Sequence, residues 1–351
     1  MNTNVEKADQ PYSLLLFLVC ILITGFSAEY SDASIRTNSP SQFSFTFDND
    51  VLVPGKRDQD YTAGISVAYK QKNRFESIIS LRPALDAVDG FLSVDDGTQS
   101  SYAIEAGLYG FTPEEISQTQ ATKNDRPFAS IVYYSHAQER VNFHGRVAWQ
   151  STLTLGVLGL KIFEQLQSEV HDVTDSEEAL GWHNQISDGG ELTARYQLAK
   201  QVALTPEASR IEAKLTRQIS LGYITEANLS LNMRVGNFNS RWWAFNPELT
   251  SYGEKSAVEN RHSDNFVFFG AAIKARAYNA FLQGQFRSSK VTFNNDEIKH
   301  FLVEAWVGYT KSLFKGYQLT YMVRGHTSEV KEGGGDRDLI WGGLILNKTF
   351  Y

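Results

Sequence analysis

From about residue 40 onward the chain alternates between apolar and polar positions. The clearest run is Ala227-Asn-Leu-Ser-Leu-Asn-Met-Arg-Val-Gly236, with Ala, Leu, Leu, Met and Val on one face and Asn, Ser, Asn, Arg and Gly on the other. The same period of two recurs over 61–70, 102–110, 301–313 and 317–326, which is the repeat of a strand with two unlike faces. About twelve strands are predicted, beginning near residues 42, 61, 101, 127, 143, 190, 207, 223, 265, 300, 316 and 338. A soluble sandwich would carry many Lys and Glu on its polar faces. These faces carry Asn, Ser, Thr, Gly and Arg, opposite Phe, Tyr, Val, Ile and Leu. Small polar residues turned inward beneath an aromatic-rich outer face predict an all-β fold, a transmembrane antiparallel β-barrel of the bacterial outer membrane.

An even strand number brings both termini to one side. The chain closes on Lys348-Thr-Phe-Tyr351, a terminal aromatic of the kind outer-membrane barrels present to the barrel-assembly machinery. With periplasmic termini, the outward connections are 51–60, 111–126, 159–189, 219–222, 287–299 and 327–337, of which the second and third are long. Loops are where a barrel keeps its function. The stretch 71–100 is long for a periplasmic turn, and the alternation gives no account of it.

Residues 14–25 (LLLFLVCILITG) form the only long apolar run, too short to span a bilayer comfortably and suited to the core of a secretory signal. Residues 1–33 are therefore read as a signal peptide, cleaved between 27 and 33, and residues 34–351 as a single barrel domain. Cys20 is the only cysteine and Val19 before it makes a poor lipidation motif, so the mature chain has neither disulfide nor thiolate metal site. A mean hydropathy of -0.31 over 351 residues excludes a polytopic helical membrane protein. The net charge of -7, with no basic stripe, argues against nucleic acid as a partner.

Chemistry concentrates at the predicted outer rim. Phe45-Thr-Phe-Asp-Asn-Asp-Val51 is answered by Asp60-Tyr-Thr-Ala-Gly64, with Lys56, Arg57 and Asp58 between them. Carboxylates, an amide and a hydroxyl at the end of a hairpin suit a hard cation or a catalytic site. Alternation turns Asp48 and Asp50 inward with Ser44 and Thr46, and Asn49 outward with Phe45 and Phe47. A site shared by Asn49 and Asp50 therefore requires the strand to end or bulge there. The third outer loop predicts a helix over 160–171, on which Glu164, Gln167 and His171 fall within an arc of about 60°. The second outer loop ends Lys123-Asn-Asp-Arg-Pro-Phe128 and sets two cations at the rim. No Gly-x-Ser-x-Gly, His-Glu-x-x-His or phosphate-binding Gly-rich motif occurs, which removes the corresponding hydrolase, zinc protease and nucleotide enzyme classes. His136, His144, His183, His262, His300 and His326 have no partner at a recognisable spacing and read as structural.

Taken together, Phe47-Asp-Asn-Asp50, Asp60-Tyr-Thr-Ala-Gly64, Asn124-Asp-Arg-Pro-Phe128, and Glu164, Gln167 and His171 followed by Gly181-Trp resemble the outer-membrane lipid A 3'-O-deacylases of the LpxR type. The motifs occur in the family's order, and the likeness covers roughly residues 41–351, with Arg234-Val-Gly-Asn237 among its later segments. The resemblance implies a barrel with a Ca²⁺-dependent esterase site at its outer rim, acting on lipid A or lipopolysaccharide. It matches the family's catalytic base to His171, its supporting glutamine to Gln167, its Asn-Asp pair to Asn49 and Asp50, its strand-two hydroxyl to Thr62 and its basic loop residue to Arg126, with Lys123 close by. The chain departs from the family at Ala63, usually Asn or Ser, and at Ala129-Ser130, usually Ala-Gly.

On this reading Asp50 and Thr62 are metal ligands and His171 activates water. Asn49 either donates to the oxyanion or orients the water, Gln167 either holds the imidazole or binds the sugar, and Arg126 and Lys123 grip a lipid A phosphate. The competing expectations are an outer-membrane phospholipase, a non-enzymatic porin or adhesin-like barrel, and a soluble periplasmic β-sandwich.

Overall fold

A barrel wall inverts the usual pattern of burial, because hydrocarbon lies outside and side chains fill the inside. Along 224–237 the polar Asn228, Ser230, Asn232 and Arg234 are buried while Leu229, Leu231 and Val235 are exposed. The computed structural model describes residues 41–53, 60–71, 80–94, 99–142, 144, 146–174, 177–206, 210–250, 252 and 264–350. Its strands are β1 (Ser41–Asn49), β2 (Asp60–Gln71), β3 (Gln99–Thr112), β4 (Ala129–Asn142), β5 (Val147–Leu158) and β6 (Glu191–Ala203). They continue as β7 (Ile211–Gly222), β8 (Ile224–Asn237), β9 (Asn265–Asn279), β10 (Phe301–Ser312), β11 (Tyr317–His326) and β12 (Leu339–Phe350). Each pairs antiparallel with its neighbours in sequence and β1 closes on β12, so the soluble sandwich is excluded. All twelve predicted strands are present, the largest displacements being 143 against Val147 and 207 against Ile211. The predicted signal peptide lies outside the described residues.

The helices are α1 (Arg82–Phe91), α2 (Ile162–Thr174) and the single turn α3 (Ala280–Gln283). α1 accounts for the long connection between β2 and β3. Its Asp89 is buried and accepts hydrogen bonds from Arg140 (2.7 Å), Ser151 (2.6 Å) and Tyr196 (2.7 Å) on β4, β5 and β6. A carboxylate that takes three donors from three strands pins the helix inside the wall at the end that bears the chain termini.

A second segment, after β8, also enters the lumen. Trp242 and Trp243 pack with Val141 and Ala148 near the terminal end. Higher up, Glu248 pairs with Lys214 at 2.8 Å and accepts from Gln201 at 2.7 Å, and the carbonyls of Pro247 and Thr250 accept from Arg324. Tyr252 then stands among Tyr61, Tyr109, Phe111 and Trp341, with its hydroxyl 2.6 Å from His326 Nε2. Phe281 of α3 completes this aromatic floor beneath the opposite mouth. The lumen is thus a packed core, which counts against the porin expectation. In a planar bilayer the purified protein is expected to show no steady open-channel current, and stepwise conductance would contradict the packing.

Candidate functional site

The mouth opposite the termini carries the residues singled out in the sequence. β1 ends at Asn49, whose register partners are Gly342 on β12 and Ala63 on β2. The Asn49 side chain caps a turn of 3₁₀ helix, Asp50–Leu52, by accepting from the backbone N–H of Val51 at 2.7 Å. An Asn cap satisfies a backbone donor that the turn leaves unpaired. The strand therefore stops where the sequence requires it to stop, and Asp50 is buried at 2% exposure. The turn folds onto β12, where a Cβ on Gly342 would lie 2.5 Å from that of Leu52. Tyr321 donates to the Leu52 carbonyl at 2.6 Å and fastens the turn from the wall.

Opposite this turn, the register of β2 against β3 shifts between Tyr61 and Ala63, and the bulge falls on Thr62. The Thr62 and Thr112 hydroxyls lie 2.6 Å apart. One extra residue re-aims a side chain, and here it lets Tyr61 stay in the aromatic floor while Ala63 faces the loop cluster outside.

That cluster seats α2. Phe163, Trp182, Phe128, Ile116 and Ala179 are buried together, with Ala63 and Leu108 of the wall packed against them. A Cβ on Gly110 would come within 2.7 Å of the Phe163 ring, so glycine is what lets the helix approach β3. Trp182 is fully buried, its ring centroid 4.9 Å from Phe128 and 5.1 Å from Phe163. A side chain on Gly181 would collide with Phe128 at 2.3 Å, which explains the Gly-Trp pair. The indole N–H donates to Gln167 Oε1 at 2.7 Å, and Gln167 is 6% exposed. Ser130, one of the departures from the family pattern, donates to Gln185 Oε1 at 3.0 Å and ties the returning loop to β4.

Asn49 and Thr62 thus lie at the outer ends of the paired strands β1 and β2, Asp50 in the turn that leads from Asn49 over β12, and Gln167 on the helix whose cluster packs against Ala63. His171 belongs to α2, one turn after Gln167, and its side chain lies outside the described residues. Lys123 is exposed on the loop before β4. Arg126 is placed differently. It turns into the lumen over the Phe111 ring at 4.6 Å, donates to Glu329, and stands 3.7 Å from Asp60 Oδ1. Burial lowers its basicity and the Asp60 carboxylate opposes that shift. Glu329 also accepts from Arg276 and from Asn279 at 3.0 Å, while Arg337 binds Asp60 at 2.9 Å and Asp125 at 2.8 Å. Sequence reading missed Glu329, Arg276 and Arg337, because a pairing between β9 and two rim loops leaves no local spacing to find. It also missed Trp182 as a partner of Gln167, although Gly181-Trp had marked the place.

Among the described residues no group of three or more His, Cys, Asp or Glu could hold a metal ion. The donors at the rim do have the chemistry of a hard cation. Asp50 supplies a buried carboxylate. If Thr62 donates its proton to Thr112, both of its lone pairs stay available.

The family model described as outer membrane protein LpxR matches residues 15–350. No curated protein matches the chain. Among solved structures, LpxR from Salmonella typhimurium superposes with a TM-score of 0.66 at 14% identity, covering 88% of this chain and 100% of that one. The COG4313 outer membrane channel from Pseudomonas putida F1 gives 0.45 at 8% identity, over 92% of this chain and 98% of that one. The β domain of the Bordetella autotransporter BrkA gives 0.42 at 10% identity, over 89% and 99%.

Proposed function

The chain belongs to the LpxR family of outer membrane proteins, and from that premise we propose that it is a lipid A deacylase. It would hydrolyse the 3'-linked acyloxyacyl ester at the outer leaflet. The observation that carries this reading is the seating of α2 on the wall beside Ala63, the register partner of Asn49, which brings Gln167 to the rim where β1 ends and β2 begins. A lipid whose acyl chains remain in the membrane needs its ester met at the rim, on the wall side of a barrel whose lumen is filled.

Ester hydrolysis needs a nucleophile, a base and a group that holds the developing oxyanion. With no activated serine motif, water is the nucleophile and His171 the base. The water oxygen adds to the acyl carbonyl carbon, and its proton passes to His171. The bond to the sugar oxygen then breaks, and the same proton returns to the leaving alkoxide, giving a carboxylic acid and a free hydroxyl. Asp50 and Thr62, with backbone carbonyls of the first loop, would hold a Ca²⁺ ion, which when bound supplies Lewis-acid polarisation of the acyl carbonyl. Asn49 anchors the turn that carries Asp50. Exposed Lys123 is the cation available to a lipid A phosphate, and Arg126 supports the same loop from the lumen side through Glu329 and Asp60.

The test is mass spectrometry of purified lipid A incubated with folded protein, with calcium or with chelator. Loss of one acyloxyacyl unit with calcium, and intact lipid A with chelator, is the expected pair of spectra. Unchanged lipid A in both, with phospholipid cleaved instead, would replace this reading with a phospholipase. If neither lipid is touched, the reading fails in favour of a non-enzymatic barrel.

A further inference from the structure

An amide side chain has a donor end and an acceptor end, and which end faces a substrate decides what it can do there. At Gln167 the neighbour fixes the answer. The indole N–H of Trp182 is a donor only, so the Gln167 atom 2.7 Å from it is the carbonyl oxygen. Trp182 is fully buried, with its ring packed against Phe128 and Phe163. The amide nitrogen of Gln167 is buried and has no hydrogen-bond partner among the described residues. Such a group, nine-tenths buried with two N–H bonds that no described residue accepts, carries a cost unless a partner or a ligand completes it.

The geometry points to Trp182 as a positioning residue that holds Gln167 with its N–H groups toward the substrate, where they donate to the acyl carbonyl oxygen as negative charge develops on it. This rests on the deacylase reading and narrows the part Gln167 plays in it. A base imidazole presents a bare nitrogen to water, so its other nitrogen carries a proton and seeks an acceptor. One lone pair of the Gln167 oxygen is taken by the indole, and the end of the amide left without a described partner is its donor end, the polarity that meets an oxyanion.

Two substitutions separate these roles. Gln167→Glu keeps an acceptor for Trp182 and removes both donors. The expected result is a fall in kcat of about 10²–10³-fold, the effect of removing one oxyanion donor, with KM little changed. Were Gln167 instead the acceptor for the base, a carboxylate there would serve as well or better. Retained activity in Gln167→Glu would therefore overturn the assignment. Trp182→Phe keeps an aromatic ring in the cluster and removes the indole N–H together with the atoms of the second ring, and kcat is expected to fall at least tenfold, the loss of one ordinary hydrogen bond being about that size. Wild-type kcat in a folded Trp182→Phe protein would show that the indole does not position the amide.

The Trp182 indole proton resonance, identified by its loss in Trp182→Phe, gives a readout independent of activity. It is expected to move upfield in Gln167→Leu and downfield in Gln167→Glu. An unmoved resonance sinks the hydrogen bond itself. A wild-type protein inactive on lipid A, with the resonance behaving as expected, sinks the deacylase reading and leaves the positioning of the amide standing.

Discussion

His171→Ala is expected to lower the rate of acyl release from lipid A by about 10²–10⁴-fold, the range supplied by a positioned general base. At about 1.36 kcal/mol per tenfold, this is roughly 3–5 kcal/mol of transition-state stabilisation. The loss should appear in kcat rather than KM, because a base acts on the water as the reaction proceeds and not on the lipid as it binds. The described packing of α2 comes from Phe163, two turns before His171. Heat-modifiable mobility of the barrel on gels serves as the control. Mass spectrometry of timed digests measures the rate. A His171→Ala protein that cleaves at the wild-type rate would remove His171 from the reaction and leave the nucleophile without a base.

The second large effect concerns stability. Glu329→Ala is expected to destabilise the folded barrel by about 3–5 kcal/mol, as when one member of a buried ion pair is deleted. Glu329 is 2% exposed and accepts from two guanidinium groups, those of Arg126 and Arg276. Its removal takes a carboxylate from each, leaving Arg276 with Glu226 at 2.7 Å and Arg126, among the described residues, with only the more distant Asp60 at 3.7 Å. The midpoint of urea unfolding in lipid should fall with little change in slope. The double variant Glu329→Ala/Arg126→Ala should recover part of the loss, since the less well compensated of the two buried charges goes with it. Additive losses in the double variant would mean that Arg126 draws its support elsewhere.

The wall of this protein was legible in the sequence because a strand between lipid and lumen must alternate. In β1, Ser44, Thr46 and Asp48 are buried while Phe45 is exposed, as the alternation predicts. The contents of the lumen were not legible. α1 and the segment around Glu248 are buried by polar contacts such as those of Asp89 and Lys214, and a segment that buries polar groups looks like an ordinary loop. At the site, the break after Asn49 could be deduced from the parity of two neighbouring residues. The bulge at Thr62 could not, because it exists only relative to β3. Arg126 showed its charge but not its direction, which depends on Glu329 more than two hundred residues away.

The two inserted segments also constrain the order of assembly. Ser41 pairs with Phe350, so the seam between β1 and β12 joins the two ends of the folded chain. Contacts between such distant residues form late, because the intervening chain must first be ordered. α1 and the 242–250 segment must be inside before that seam shuts, like contents packed before a lid is closed. Cutting the ties of Asp89 or Glu248 should therefore trap chains as unsealed sheets during insertion, a failure of biogenesis rather than a weakness of the finished barrel.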